Sequence, residues 1–181
     1  MAAEQTQQIG LEGVFRGSLL LSYVFGRSIH LPFNAYDHGP KLRFTDIPGG
    51  TFNYDLGGVL ERLNPKKTRA DTTDVFVEVK QYKQGADLLA HYGEFLRHAV
   101  VMSLNDRYRD TWFVFLASVP FGSSKGIELC DGQYLADCKK NWPAQLKKAE
   151  TSNLHNRISL LIFTASFERM LKTWSNNLGV V

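Results

Sequence analysis

Cysteine is scarce in this chain: two residues, Cys130 and Cys138, in 181. Two thiols cannot build a disulfide framework, a four-cysteine zinc site or an iron–sulfur cluster. A reduced, intracellular compartment is the expectation, and no Asn-x-Ser/Thr sequon speaks against it. Long hydrophobic runs are missing as well. Leu19–Phe25 is apolar but far too short to span a bilayer, and Arg16 and Arg27 flank it. No basic stretch followed by a long apolar run marks the N-terminus as a secretory leader. A cytoplasmic protein with no membrane partner is therefore expected. An excess of either charge is nearly absent, 21 Lys and Arg against 18 Asp and Glu giving a formal net charge of +3, which permits an anionic partner without arguing for one. Repeats, low-complexity tracts and linkers are lacking too, so residues 1–181 are expected to form one domain.

What is present is an alternation of strand-like and helix-like segments. Periodicity predicts a helix over 6–25, with Leu11, Val14, Phe15, Leu19 and Tyr23 recurring at three- and four-residue spacing. Residues 26–50 carry Pro32, Pro40, Pro48, Gly49 and Gly50 and read as mostly irregular, with one short strand near Leu42–Phe44. Strands are expected over 51–60 and 74–82, joined by a long polar hairpin loop at 61–74. A helix over 86–104 follows, then the apolar run 111–119, which suits a central strand covered on both faces. Helical sequence over 133–150 is interrupted near Pro143. A buried strand at 158–165 and a short helix to about Trp174 complete the chain. The expected fold is a mixed α/β sheet flanked by helices, antiparallel in its first strand pair and parallel later.

The segment DVFVEVKQY carries the chemistry. Side chains alternate along a strand, so Val75, Val77 and Val79 face one way, and Phe76, Glu78 and Lys80 the other. A carboxylate and an ammonium amid apolar residues are costly to bury without partners. A cation and an anionic substrate supply both partners. The preceding strand, FNYDLGG, puts Phe52, Tyr54 and Leu56 on one face and Asn53 and Asp55 on the other. If the two strands pair, Asp55 stands across from Glu78. Two facing carboxylates repel unless a divalent cation lies between them, and hard oxygen ligands suit Mg²⁺ or Mn²⁺. Such a metal polarises a phosphate oxygen and activates a bound water; Lys80 is placed to orient that water and to stabilise the charge that develops. Gly57 and Gly58 leave room for a nucleic-acid backbone to approach.

This arrangement resembles the PD-(D/E)xK, restriction-endonuclease-like nuclease superfamily. The matching residues are Tyr54-Asp55 at the end of one strand and Glu78-Val79-Lys80 on the next. The order of elements over about 10–120 resembles that family's αβββαβ core. The resemblance implies a divalent-metal-dependent hydrolase of DNA phosphodiester bonds, with Asp55, Glu78 and Lys80 catalytic. It also implies metal held by Asp55, Glu78 and the Val79 carbonyl, with Glu12 on the first helix as a further ligand. Gln81 and Tyr82 sit where some members, similar to the Mrr and Holliday-junction-resolvase branches, carry a polar residue and an aromatic. Family members of this size act as dimers or as subunits of larger complexes. Position 54 is Tyr rather than Pro, and the following helix has no QxxxY, which argues against the RecB-like branch.

Each feature has a plainer alternative. The plainer reading of Glu78 and Lys80 is a surface pair on an exposed sheet face, worth little energetically. A nuclease fold that only binds nucleic acid or assembles a complex is the competing class, and an RNA-directed nuclease a third. Arg62, Lys66, Lys67 and Arg69 are expected beside the site as phosphate contacts, or else as a solvated loop. Lys139, Lys140, Lys147 and Lys148 form a second basic group. Glu12 has Arg16 four residues on, the spacing of a helix ion pair. Asp74 opens a strand and reads as a turn residue. Of His91 and His98, seven apart on one helix, His91 is the candidate helper in catalysis. Trp112, Phe113 and Phe115 read as core.

Overall fold

The computed structural model describes residues 2–47, 49–62, 71–80, 88–117, 132–147 and 158–162. A long first helix, α1 (Ala2–Phe25), leads into β1 (Ile29–Asn34) and a single-turn helix, α2 (Ala35–His38), which Asn34 caps by accepting the N–H groups of Tyr36 and Asp37. Two short strands, β2 (Arg43–Thr45) and β3 (Thr51–Asn53), pair as a separate antiparallel ribbon. The main sheet then gains β4 (Leu56–Arg62), β5 (Asp71–Lys80), β6 (Trp112–Ala117) and β7 (Ile158–Ile162). Helix α3 (Leu88–Ser103) lies between β5 and β6 in the chain, and α4 (Gly132–Lys139) and α5 (Ala144–Lys147) between β6 and β7. The sheet is mixed, in the order β1-β4-β5-β6-β7. Antiparallel pairing joins β1 to β4 and β4 to β5, whereas β5–β6 and β6–β7 are parallel. Among the described residues no helix is long and apolar enough to cross a membrane.

Alternation along β5 and β6 divides the core in two. Val75, Val77, Val114 and Leu116 pack with Val14, Leu20 and Leu21 of α1. Phe76, Phe113 and Phe115 turn to the other face and pack with Leu88, Tyr92, Phe95 and Leu96 of α3, with Trp142 and Leu146 beside them. A strand buried on both faces must be apolar throughout, and β6 is: Phe113 through Ala117 are all buried. The β2–β3 ribbon adds Leu42, Phe52 and the half-buried Phe44 to the α3 side.

Several expectations need correction. Strand β1, in a stretch read as irregular, is a full member of the sheet, because Pro32 is accommodated where the pairing with β4 shifts register between His30 and Phe33. The strand expected over 51–60 is two strands broken at Tyr54–Asp55, so Phe52 and Tyr54 face α3 while Leu56 faces α1. Asp74 is no turn residue; it pairs with Val59 inside the β4–β5 ladder, which extends from Leu56↔Val77 to Arg62↔Asp71. Of the apolar positions that predicted α1, only Val14 faces the sheet. Leu11, Phe15, Leu19 and Tyr23 are exposed, Phe15 and Tyr23 by more than 60%. The buried stripe is formed instead by Val14, Leu20 and Leu21. The final helix, expected to end near Trp174, and Cys130 lie outside the described residues.

Candidate active site

The backbone around Asp55 determines what its side chain can reach. The Asp55 N–H donates to the Val77 carbonyl at 2.9 Å, and the Asp55 carbonyl accepts the Ala35 N–H at 2.9 Å. Asp55 is thus tied to β5 on one side and to the start of α2 on the other. Extending the ladder one step beyond Leu56↔Val77 sets Asp55 opposite Glu78. Its Oδ2 accepts the Val79 N–H at 2.7 Å. The carboxylate therefore occupies the place of a strand carbonyl at the point where β4 has not yet begun.

Glu78 and Lys80 continue the Phe76 row at the C-terminal end of β5. Lys80 Nζ lies 2.5 Å from Glu78 Oε1, and both side chains are mostly buried. Burial raises the Glu78 carboxyl to about 7, the neighbouring Asp55 charge pushes it the same way, and Lys80 offsets part of the rise. Asp55 is also held above its ordinary value by burial, against the Val79 N–H and Lys80. Two carboxylates in one low-dielectric corner, with one ammonium between them, cannot both ionise at little cost. The sequence-derived trio of Asp55, Glu78 and Lys80 is thus brought together at the C-terminal end of β5.

Helix α3 contributes the far wall. Glu94 is close enough to raise Glu78 further, and His98 is within electrostatic reach of both Glu94 and Lys80. The His98 ring stacks on Phe52, centroids 3.9 Å apart and planes 1° from parallel. Arg97 Nη2 lies 3.0 Å from His98 Nε2, and Arg97 Nη1 donates to Asp46 Oδ1 at 2.5 Å. Burial and the Arg97 charge depress His98 to about 4, so the ring is neutral at pH 7. These contacts hold His98 against Phe52 of β3 and within electrostatic reach of Lys80. The sequence signal for it was the i, i+4 spacing from Glu94, which went unread because it needs the ribbon carrying Phe52. On another side Tyr36 senses the Asp55 charge, and burial with that charge raises its phenol.

Other expected site residues fall elsewhere. Glu12 is exposed and bonded to Arg16, with Nη2 2.5 Å from Oε1, on a helix that packs against the sheet face opposite Glu78. The helix ion pair is the reading that fits it. Val79 enters through its N–H rather than through a demonstrated role for its carbonyl. Of the basic group expected beside the site, only Arg62 falls on described residues, and it is distant from Glu78. Arg62 pairs with Asp71 at the far end of the hairpin, seven residues from Glu78 or about 23 Å along the strand. Lys66, Lys67, Arg69, Gln81, Tyr82 and Lys148 lie outside the described residues. Gly57 and Gly58 serve packing, not substrate approach. A Cβ at Gly57 would meet Leu42 and Phe76, and one at Gly58 would strike the His30 carbonyl.

The hard oxygen donors that a divalent cation would need here are those of Asp55, Glu78 and the main chain of β5. Among the described residues no group of three or more His, Cys, Asp or Glu side chains is arranged to hold a metal ion, so the side-chain share of such a site is two carboxylates. Their raised affinity for protons fits a site that gains by exchanging a proton for a metal. Compared with known proteins, the chain matches no family model, no curated protein and no solved structure.

Proposed function

We propose that the protein is a divalent-metal-dependent nuclease that hydrolyses phosphodiester bonds in DNA. On this reading Asp55 and Glu78 are the metal ligands, the Val79 carbonyl is a third, and Lys80 stands beside the attacking water. The observation that carries it is the environment of Glu78: a largely buried carboxylate raised to about 7 by burial and by Asp55, with Lys80 bonded to it. A merely structural Glu–Lys pair has no need of a second carboxylate opposite. When bound, Mg²⁺ or Mn²⁺ supplies Lewis acidity and makes a coordinated water easier to deprotonate than bulk water. The chain's own part is positional. Asp55 is held by two backbone hydrogen bonds and a side-chain one, and Lys80 brings a positive charge to the place where negative charge grows on the phosphoryl oxygens.

The test is cleavage of linear, circular and branched DNA with Mg²⁺ or Mn²⁺. Activity is expected to stop on adding a chelator and to fall by at least 100-fold in Lys80→Ala and Asp55→Ala, a loss of the size seen when one electrostatic catalytic group is removed. Replacing DNA with RNA in the same assay decides between the two polymers. No cutting of any substrate, with no divalent-ion heat by calorimetry, sinks the enzyme reading.

One observation favours a second reading, an assembly module, which is compatible with cleavage. Leu11, Phe15, Leu19 and Tyr23 recur every fourth residue along the solvent side of α1. Such i±4n ridges interlock between helices at about −50°, and a ridge so apolar on an isolated chain is unusual. A second copy of this chain is the occupant that a self-complementary ridge accepts. Sedimentation at micromolar concentration tests it. A dimer that Phe15→Glu converts to monomer supports it, and a wild-type monomer rejects it.

A further inference from the structure

Tyr54 immediately precedes Asp55, is only 1% exposed, and has a hydroxyl without a hydrogen-bond partner. Its ring lies nearly parallel to Phe76, centroids 5.3 Å apart, and is enclosed by Phe44, Phe52, Phe95 and Phe113 at 5.7–6.4 Å. None of these rings offers a good acceptor. Phenylalanine fills the same cage without the cost of about 1–3 kcal/mol that an unsatisfied buried polar group carries. A buried unpaired hydroxyl in a native core calls for a functional account.

Its surroundings supply one. Phe76, on which Tyr54 stacks, is two residues before Glu78 on the same face of β5, so the ring that Tyr54 covers is the side-chain neighbour of Glu78, about 7 Å along the strand. Glu78 is also the charged group whose field reaches this hydroxyl. Glu78 Oε1 is engaged by Lys80, which leaves Oε2 to be fixed by another donor. We propose that Tyr54 is a positioning residue: its hydroxyl donates to Glu78, directly or through one water, when that carboxylate serves as a metal ligand. The inference rests on the metal-site reading above. A donor behind a ligating carboxylate orients it and commonly contributes 10- to 100-fold in metal affinity.

The experiment uses the full chain and Tyr54→Phe, which keeps every ring contact. Stability is measured by denaturant unfolding in chelator, and Mn²⁺ affinity by calorimetry. Tyr54→Phe is expected to be at least as stable as wild type without metal, yet to bind Mn²⁺ 10- to 100-fold more weakly. Cleavage is expected to show a lower kcat with KM for DNA unchanged. A purely structural tyrosine moves neither Mn²⁺ affinity nor kcat. Mn²⁺ affinity within twofold of wild type overturns the proposal while leaving the metal site standing. A variant less stable in chelator also overturns it, since the hydroxyl is then bonded in the metal-free protein. If wild type itself binds no Mn²⁺, the metal-site reading fails and this inference falls with it.

Discussion

The Val79 N–H donates to Asp55 Oδ2 at 2.7 Å, across the point where the β4–β5 ladder stops. One carboxylate thereby caps a strand and faces Glu78 at the same time. Variants can separate these two duties. Asp55→Asn keeps an oxygen that can accept the Val79 N–H, so it is expected to fold with near wild-type stability while losing divalent-ion binding. Asp55→Ala leaves that buried N–H unpaired and is expected to lose about 1–3 kcal/mol as well. Denaturant unfolding of both variants checks the difference; equal stability of the two would show that the bond contributes nothing.

Glu78 and His98 are expected to give the metal-free protein opposing pH dependences. The Glu78 carboxyl rises from 4.5 to about 7 on folding. The folded state then binds the proton more tightly, so stability falls as pH rises from 4.5 through 7. His98 drops from 6.5 to about 4, so the unfolded state binds the proton more tightly and stability falls as pH drops from 6.5 through 4. Each shift corresponds to ~3 kcal/mol at full span, and between pH 4.5 and 6.5 the two largely cancel. Glu78→Gln is expected to leave a profile rising with pH. His98→Phe, which retains a ring against Phe52, is expected to leave one that falls. Unfolding free energies at five pH values distinguish these, and parallel profiles for the two variants would refute the assignment.

Metal addition should act through the same carboxylates. A cation that binds only the folded state at 100 times its dissociation constant stabilises by about 2.7 kcal/mol, or roughly 5–10 °C in a chain of this size. We expect Mn²⁺ to raise Tm at pH 8, chelator to reverse the rise, and Glu78→Gln to abolish it. A shift that persists in Glu78→Gln places the ion elsewhere.

The legible part of this protein in its sequence was the part governed by period. The Val75/Val77 and Phe76/Glu78/Lys80 alternation and the all-apolar β6 follow directly from strand geometry. Asp55 opposite Glu78 was reachable because a hairpin extends register from either end. What failed was whatever depends on a partner distant in sequence. Strand β1 was hidden by Pro32, whose effect depends on the register shift opposite it. The outward turn of Leu11, Phe15 and Tyr23 was hidden because period locates a stripe but not the sheet it meets. The α3 wall of Glu94 and His98 required the β2–β3 ribbon, whose Phe52 holds the imidazole. Arg62 was misplaced for a simpler reason: being near Glu78 in sequence puts it at the opposite end of a strand that runs away from the site.

The same lesson applies to Gly58, where the sequence suggested access for a substrate and the fold requires close approach of two strands. A Cβ there would strike the His30 carbonyl, with the Leu31 Cα also within 2.9 Å. Both are backbone atoms, so no side-chain rotation relieves the clash, and β1 must separate from β4. Gly58→Ala is expected to cost at least the 1–3 kcal/mol typical of overpacking. Gly57→Ala, whose Cβ would meet the side chains of Leu42 and Phe76, is expected to cost less because those can shift. If the glycines served a nucleic-acid backbone instead, both variants would retain wild-type stability and lose only DNA affinity. Unfolding free energies measured alongside DNA binding in chelator decide between the two roles.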